Sequence, residues 1–291
     1  MAVETVKANG IEIAYETFGD PGARPLLLVM GLGAQMIVWQ DEFCTAIAER
    51  GFHVVRFDNR DAGLSTHMHD APEPDVAAAM GGDYTSATYT LDDMADDSVG
   101  LLAELGIDAA HVVGASMGGM IAQTIAIRHP QRVLSLTSIM STPGPRVAPP
   151  TEAAAAALMA PPAMSREEAI ERAIAATKVI GSPGFPPDEE WIAESAGVAY
   201  DRAFDPPGFA RQFVAIQASG DRTEQLSGVR VPTLVVHGAD DPLVTLPGGE
   251  ATAAAIPDAE LVVIPGMGHN LPRQVWPQVV DAIVRTADRA G

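Results

Sequence analysis

Short apolar runs, each closed by a polar or glycine-rich turn and set apart by helical periodicity, constrain this chain more than any other feature. They fall at Leu26–Met30, His53–Asp58, His111–Ala115, Val133–Met140, Val231–Val236 and Leu261–Ile264. A continuous apolar run of this length suits a strand covered on both faces. Gln40–Arg50, Leu91–Leu105 and Met117 to about His129 carry helical spacing between them. Gly51 and Pro130 supply stops, and Thr90 an N-cap with Asp92 and Asp93 in the first turn. Repeated strand–helix alternation predicts an α/β fold, a mostly parallel central sheet with helices on both faces. Two alternating segments, Val3–Lys7 and Ile11–Phe18, open the chain around Asn9-Gly10, a dipeptide that favours a tight hairpin.

The pattern breaks once. From Ser141 to about Gly228 there is no buried-strand signature. The prolines from Pro143 to Pro150 lead into the alanine-rich tract Ala153–Ala157, and Ser165 with Glu168 forms a capping box. Residues 141–228 are therefore expected to be a helical cap inserted into a core built from 1–140 and 229–291.

Charge narrows the partners. Against 38 acidic residues the chain has 18 basic ones, a formal net charge of −20 that repels nucleic acid and anionic membranes. The N-terminus lacks a basic segment followed by an apolar core, and no run approaches the ~20 apolar residues of a membrane span. The expectation is a cytoplasmic protein with neither nucleic-acid nor membrane partner; oligomeric state is not legible. The single cysteine, Cys44, allows no internal disulfide and reads as a small buried hydrophobe.

Chemistry concentrates at Gly114-Ala115-Ser116-Met117-Gly118, an instance of G-x-S-x-G. The pattern is weak alone, but here it follows an apolar strand and opens an apolar helix. A serine in such a turn stands exposed, and the flanking glycines let strand and helix pack closely. A serine hydroxyl needs a base to take its proton and an acid to orient that base. His269 follows the last strand in the turn Pro265-Gly266-Met267-Gly268, and Asp240-Asp241 follow the strand before it. Asp241 is favoured over Asp240 because Pro242 biases it to an extended conformation that projects the side chain from the strand end. His237 reads as a residue lining or supporting the site. His67 and His69 form an H-x-H pair without a companion ligand cluster in the sequence, so neither metal nor cofactor is expected.

Taken together, the segments LLLVMG (Leu26–Gly31), WQDEF (Trp39–Phe43), FDNRDAGLS (Phe57–Ser65), HVVGASMG (His111–Gly118), PTLVVHGADDP (Pro232–Pro242) and IPGMGH (Ile264–His269) resemble the α/β-hydrolase fold, and within it the aclacinomycin methylesterase-like esterases. The resemblance implies a serine esterase with the triad Ser116, Asp241 and His269, and an oxyanion hole from the backbone amides of Leu32 and Met117. Most relatives start the first loop with His-Gly, whereas this chain has Met30-Gly31, a feature the methylesterase-like enzymes share. Met30, Gly31, Gly33 and Met267 are the expected pocket residues, with cap residues Met159, Met164, Phe185, Trp191, Phe204, Phe209 and Phe213 as candidates beside them. Arg60 reads as structural. The substrate implied is a small-molecule ester, sharpened by the resemblance to a methyl ester of a bulky polycyclic compound.

Other reactions fit the same residues, namely hydrolysis of a C–C bond, a lactone or an amide. A serine nucleophile disfavours haloalkane and epoxide hydrolysis, which need a carboxylate. A non-catalytic small-molecule receptor on the same scaffold is the alternative outside enzymes, against which stands the filled triad.

Overall fold

The computed structural model describes residues 3–290. Among these, eight strands form one sheet in the order β1-β2-β4-β3-β5-β6-β7-β8. The strands are β1 (Glu4–Ala8), β2 (Ile11–Phe18), β3 (Arg24–Val29), β4 (Phe52–Phe57), β5 (Ala110–Ala115), β6 (Val133–Ile139), β7 (Thr233–Gly238) and β8 (Glu260–Ile264). β1–β2 and β2–β4 pair antiparallel; every pairing from β4 to β8 is parallel. The opening hairpin turns through Asn9 and Gly10, both at positive φ, as a tight turn matched to strand twist requires.

Helices α1 (Asp41–Ala48), α2 (Val76–Met80), α3 (Leu91–Glu104) and α4 (Met117–Arg128) connect the first six strands. α10 (Leu246–Ala255) and α11 (Trp276–Asp288) follow β7 and β8. Two apolar clusters lie on opposite faces of the sheet. One packs Leu27, Val29 and Val112 under α3 and α4; the other packs Leu26, Leu28 and Val113 under α1 and α11. β3, β4 and β5 contribute to both clusters and every residue of β7 is buried, which accounts for their near-continuous apolar sequences. Thr90 caps α3 in a complete capping box with Asp93.

Between β6 and β7 the chain runs through α5 (Glu152–Leu158), α6 (Arg166–Ile180), α7 (Glu189–Arg202), α8 (Pro206–Ala218) and α9 (Thr223–Leu226) with no strand. The Ser165 hydroxyl accepts the amide of Glu168 and so caps α6, while the Glu168 carboxylate reaches one residue past the box to the amide of Met164. No helix among the described residues is long and apolar enough to cross a membrane. Cys44 is fully buried against Phe43 and Ile47, and burial pushes its thiol up to about 12, which keeps it protonated and unreactive.

Candidate active site

Ser116 sits between β5 and α4 at φ 56° and ψ −121°, a conformation that costs a non-glycine residue free energy. Its neighbours make the turn possible. A Cβ on Gly114 would lie 2.0 Å from the Gly118 carbonyl oxygen, and one on Gly118 would lie 2.1 Å from that of Val29. Any larger residue at either place would push α4 off the sheet. The turn is pinned by the Ser116 amide on the Ile139 carbonyl (2.9 Å) and by the Ser141 hydroxyl on the Ser116 carbonyl (2.8 Å).

The Ser116 hydroxyl faces His269 Nε2 at 3.0 Å, and His269 Nδ1 faces Asp241 Oδ2 at 2.7 Å. Asp241 is fully buried, and its other oxygen accepts the amides of Leu243 (2.9 Å) and Val244 (3.0 Å). Bound on both oxygens, the carboxylate is fixed in orientation and fixes the imidazole in turn. Asp240 is turned to the surface and accepts the Gly266 amide at 2.8 Å, so it staples the acid loop to the histidine loop. His237 stands behind Asp241. Its Nε2 donates to the Val244 carbonyl (2.8 Å), and burial holds its pKa below the ordinary value, which keeps it neutral. It braces the acid loop without reaching the cavity.

The amides of Leu32 and Met117 have, among the described residues, no protein acceptor. Both residues line a cavity of about 1390 Å³ that contains Ser116 and His269. Of the other expected pocket residues, Met30 and Gly31 line this cavity and Gly33 and Met267 do not. Met267 is fully buried in the core, and Gly33 packs against the Phe209 ring. From the cap, Met159, Phe185, Trp191 and Phe213 line the cavity. Phe209 is turned to Gly33, and Met164 and Phe204 are 72% and 44% exposed, so these three are not wall residues.

Several residues that hold the site were not legible in the sequence. Ile180 at the end of α6 accepts the His269 amide (2.7 Å), and the Ser182 hydroxyl accepts that of Gly268 (2.9 Å). Arg202 at the end of α7 donates to Asp58 (2.6 Å) and to Gln35 (2.8 Å), and Asp58 also accepts the Met36 amide (2.6 Å). Arg211 on α8 clasps Asp61 with two nitrogens, at 2.9 and 2.7 Å. Arg60 does the same to Asp97 and contributes nothing to the cavity wall. The run Gly181-Ser182-Pro183-Gly184 in the cap was the one local signal that a close approach occurs there.

The H-x-H pair does acquire a carboxylate, because Asp205 from the cap comes within 4.8 Å of both histidines. His67 is already engaged on both ring nitrogens, by Asp205 (2.6 Å) and the Gly63 carbonyl (2.9 Å), and Asp205 also accepts from Arg211 (3.1 Å). The cluster thus works in this structure as a hydrogen-bonded joint between the 61–69 loop and α8.

Comparison with known proteins agrees with this architecture. The chain is 28% identical to a rhodomycin D methylesterase of Streptomyces sp. (strain C5), over 97% of each chain. It is 27% identical to a 3-oxoadipate enol-lactonase of Acinetobacter baylyi, over 90% of this chain and 88% of that one. A solved thermophilic esterase from Thermogutta terrifontis superposes with a TM-score of 0.70 at 25% identity, covering 100% of this chain and 99% of that one. A sequence model of the alpha/beta hydrolase fold matches residues 24–181, the stretch that holds β3 to β6 and the serine turn, and the chain belongs to that family.

Proposed function

We propose that the protein is a serine hydrolase of carboxylic esters, with Ser116 as nucleophile, His269 as base and Asp241 as orienting acid. The observation that carries this reading is the continuous hydrogen-bonded line from Asp241 through His269 to Ser116, at 2.7 and 3.0 Å, opening onto the cavity. As the serine oxygen attacks the ester carbonyl carbon, its proton passes to His269 Nε2, and the imidazolium is held by Asp241. The carbonyl oxygen becomes an oxyanion beside the amides of Leu32 and Met117, donors of the kind worth roughly 3 kcal/mol each in a preorganised site. His269 returns the proton to the leaving alcohol, which departs and leaves an acyl-serine. Water then repeats the sequence, giving the free acid and regenerated serine. Residues of this chain account for every proton.

The substrate we infer is a bulky, largely apolar ester. The cavity, at about 1390 Å³, exceeds the roughly 300–1,000 Å³ of common small-molecule sites. Its walls carry Met30, Met120, Met140, Trp191 and Phe213. That size and polarity fit a polycyclic methyl ester, and the likeness to a rhodomycin D methylesterase supports the same choice. A lactone is a cyclic ester and would follow the same steps, except that the freed hydroxyl stays on the acyl group until water releases the hydroxy acid.

The test is hydrolysis of 4-nitrophenyl esters from acetate to decanoate by wild type and Ser116→Ala. Turnover by wild type with a loss of about 10³-fold or more in the variant is expected. Equal rates in the two proteins would remove Ser116 from the chemistry.

A further inference from the structure

The loop that offers the Leu32 amide is held largely from the cap side. Gly33 lies at φ +65°, and its amide donates to Gln212 Oε1 of α8 at 2.8 Å. The other end of the same side chain, Nε2, donates to the Arg60 carbonyl at 2.7 Å. An N–H can only give and a carbonyl can only accept, so the two backbone partners fix which end of the Gln212 amide faces which. Gln212 is fully buried, and its helix is anchored next door by the Arg211 clasp on Asp61. One turn earlier Phe209 lies against the same glycine. A Cβ on Gly33 would come within 2.6 Å of the Phe209 ring, so no other residue fits there without displacing that ring.

The consequence for the neighbouring peptide is geometric. Turning the Gly33 N–H toward Gln212 fixes the orientation of the loop between Gly31 and Ala34, which the Ala34 amide closes onto the Gly31 carbonyl at 3.2 Å. With Gly33 committed to α8, the Leu32 amide is left without a protein acceptor, and Leu32 lines the same cavity as Ser116. We propose that Gln212 is a positioning residue of the hydrolysis: by accepting the Gly33 amide it holds the oxyanion loop so that the Leu32 amide points at the reacting carbonyl oxygen. This rests on the ester-hydrolase reading. It makes α8 part of the catalytic apparatus as well as of the cavity wall.

The experiment compares wild type, Gln212→Met and Gln212→Glu by steady-state 4-nitrophenyl ester hydrolysis and by inactivation with diisopropyl fluorophosphate, with melting temperature measured alongside. Methionine keeps the length and removes the acceptor. Its kcat should fall about 10- to 100-fold, somewhat less than outright loss of an oxyanion donor. KM should stay within about threefold, because the wall is unchanged, and fluorophosphate inactivation should slow in parallel, because phosphoryl oxygen needs the same donors. Glutamate supplies a sharper sign. Its protonated carboxyl can accept from Gly33 and donate to Arg60 as glutamine does, whereas the ionised form cannot donate. Both forms accept the Gly33 amide, so the kcat of Gln212→Glu should stay above that of Gln212→Met at every pH, with its ratio to wild type nearest one where the new carboxyl is protonated. A Gln212→Met enzyme that melts lower but keeps its kcat and inactivation rate would overturn the proposal, and so would a Gln212→Glu kcat as low as that of Gln212→Met at every pH. If wild-type Ser116 itself is not labelled, the ester-hydrolase reading fails and this inference with it. Normal labelling of both wild type and Gln212→Met defeats the Gln212 role alone.

Discussion

Two stretches of the inserted segment, α8 and the α6–α7 pair, meet the rest of the molecule in opposite ways. α8 buries Arg211, Gln212 and the run Phe213–Ile216, and its buried polar groups find partners on Asp61, Arg60 and Gly33 of the sheet domain. α6 buries no residue and α7 only Gly197. The pair is held at its ends, by Ile180 on His269 and by Arg202 on Asp58, with an exposed ion pair between Arg166 and Asp201 joining the start of α6 to the end of α7. The difference teaches that this insertion is not one lid. α8 is tied in as a core helix is, whereas α6 and α7 form a roof whose endpoints alone are fixed.

The largest expected effect separates the two by stability. Arg211→Leu leaves Asp61 and Asp205 buried without their cation, and breaking a buried pair by removing one partner costs about 3–5 kcal/mol. Arg166→Leu breaks a pair whose side chains are 43% and 59% exposed, and such pairs are worth roughly 0–1 kcal/mol. Urea unfolding of both variants checks this. Equal losses would mean that α6 and α7 are as firmly built in as α8.

Acid should distinguish the sheet domain from the insertion next. His53, His111 and His237 stand on β4, β5 and β7, and burial holds all three below the ordinary histidine value, His111 at about 4. In the unfolded chain they titrate near ~6.5. Below that pH the unfolded state binds protons the folded state refuses, so stability falls as pH drops from about 6.5 toward 4, at up to about 1.4 kcal/mol per pH unit for each such histidine. Residues 141–228 contain no histidine. His111→Gln can keep a hydrogen bond to Ser135, and it should flatten the dependence of melting temperature on pH between 4 and 6.5. An unchanged slope would place the acid sensitivity elsewhere.

What could be read from the sequence follows the same division. Ser116, His269 and Asp241 each follow a strand within a few residues of a glycine or proline, so local spacing, with the strand order expected of the fold, brought them forward as candidates. β7 begins at Thr233 and not at Val231 because Pro232 has no amide to give; its carbonyl still accepts from Leu136. The strand then runs on through His237 and Gly238, since a polar residue is tolerated once both faces are covered. By contrast, Arg211 meets Asp61 across 150 residues and Gln212 meets Gly33 across 179, and no local pattern encodes such pairs. Phe209 and Phe213 lie four apart on one helix, yet one packs against Gly33 and the other lines the cavity. Spacing alone could not assign them.

A smaller effect tests whether the roof selects substrate. Trp191 on α7 is half-buried and lines the cavity. Trp191→Ala should lower kcat/KM for the decanoate relative to the acetate by about 10-fold, the equivalent of about 1.4 kcal/mol of lost apolar contact. The melting temperature should barely move, because little of the fold rests on α7. If both esters lose rate equally, Trp191 acts on the site's geometry and not on its grip of the acyl chain.

The smallest expected effect is the most exacting for the roof's extent. Met164, just before α6, has the chemical character of a pocket residue, yet its side chain is 72% exposed and absent from the cavity wall. Its structural bonds come from the backbone, where its amide donates to Glu168 and its carbonyl accepts from Tyr200. Met164→Ser therefore removes no packed atom and leaves those bonds intact. Stability should change by less than about 0.5 kcal/mol, with the ester chain-length profile superimposable on wild type. A shifted profile would mean that the start of α6 reaches the acyl chain during turnover, so that the pair closes over substrate farther than its resting position. That result would turn the contrast between α8 and α6–α7 from one of anchoring into one of motion.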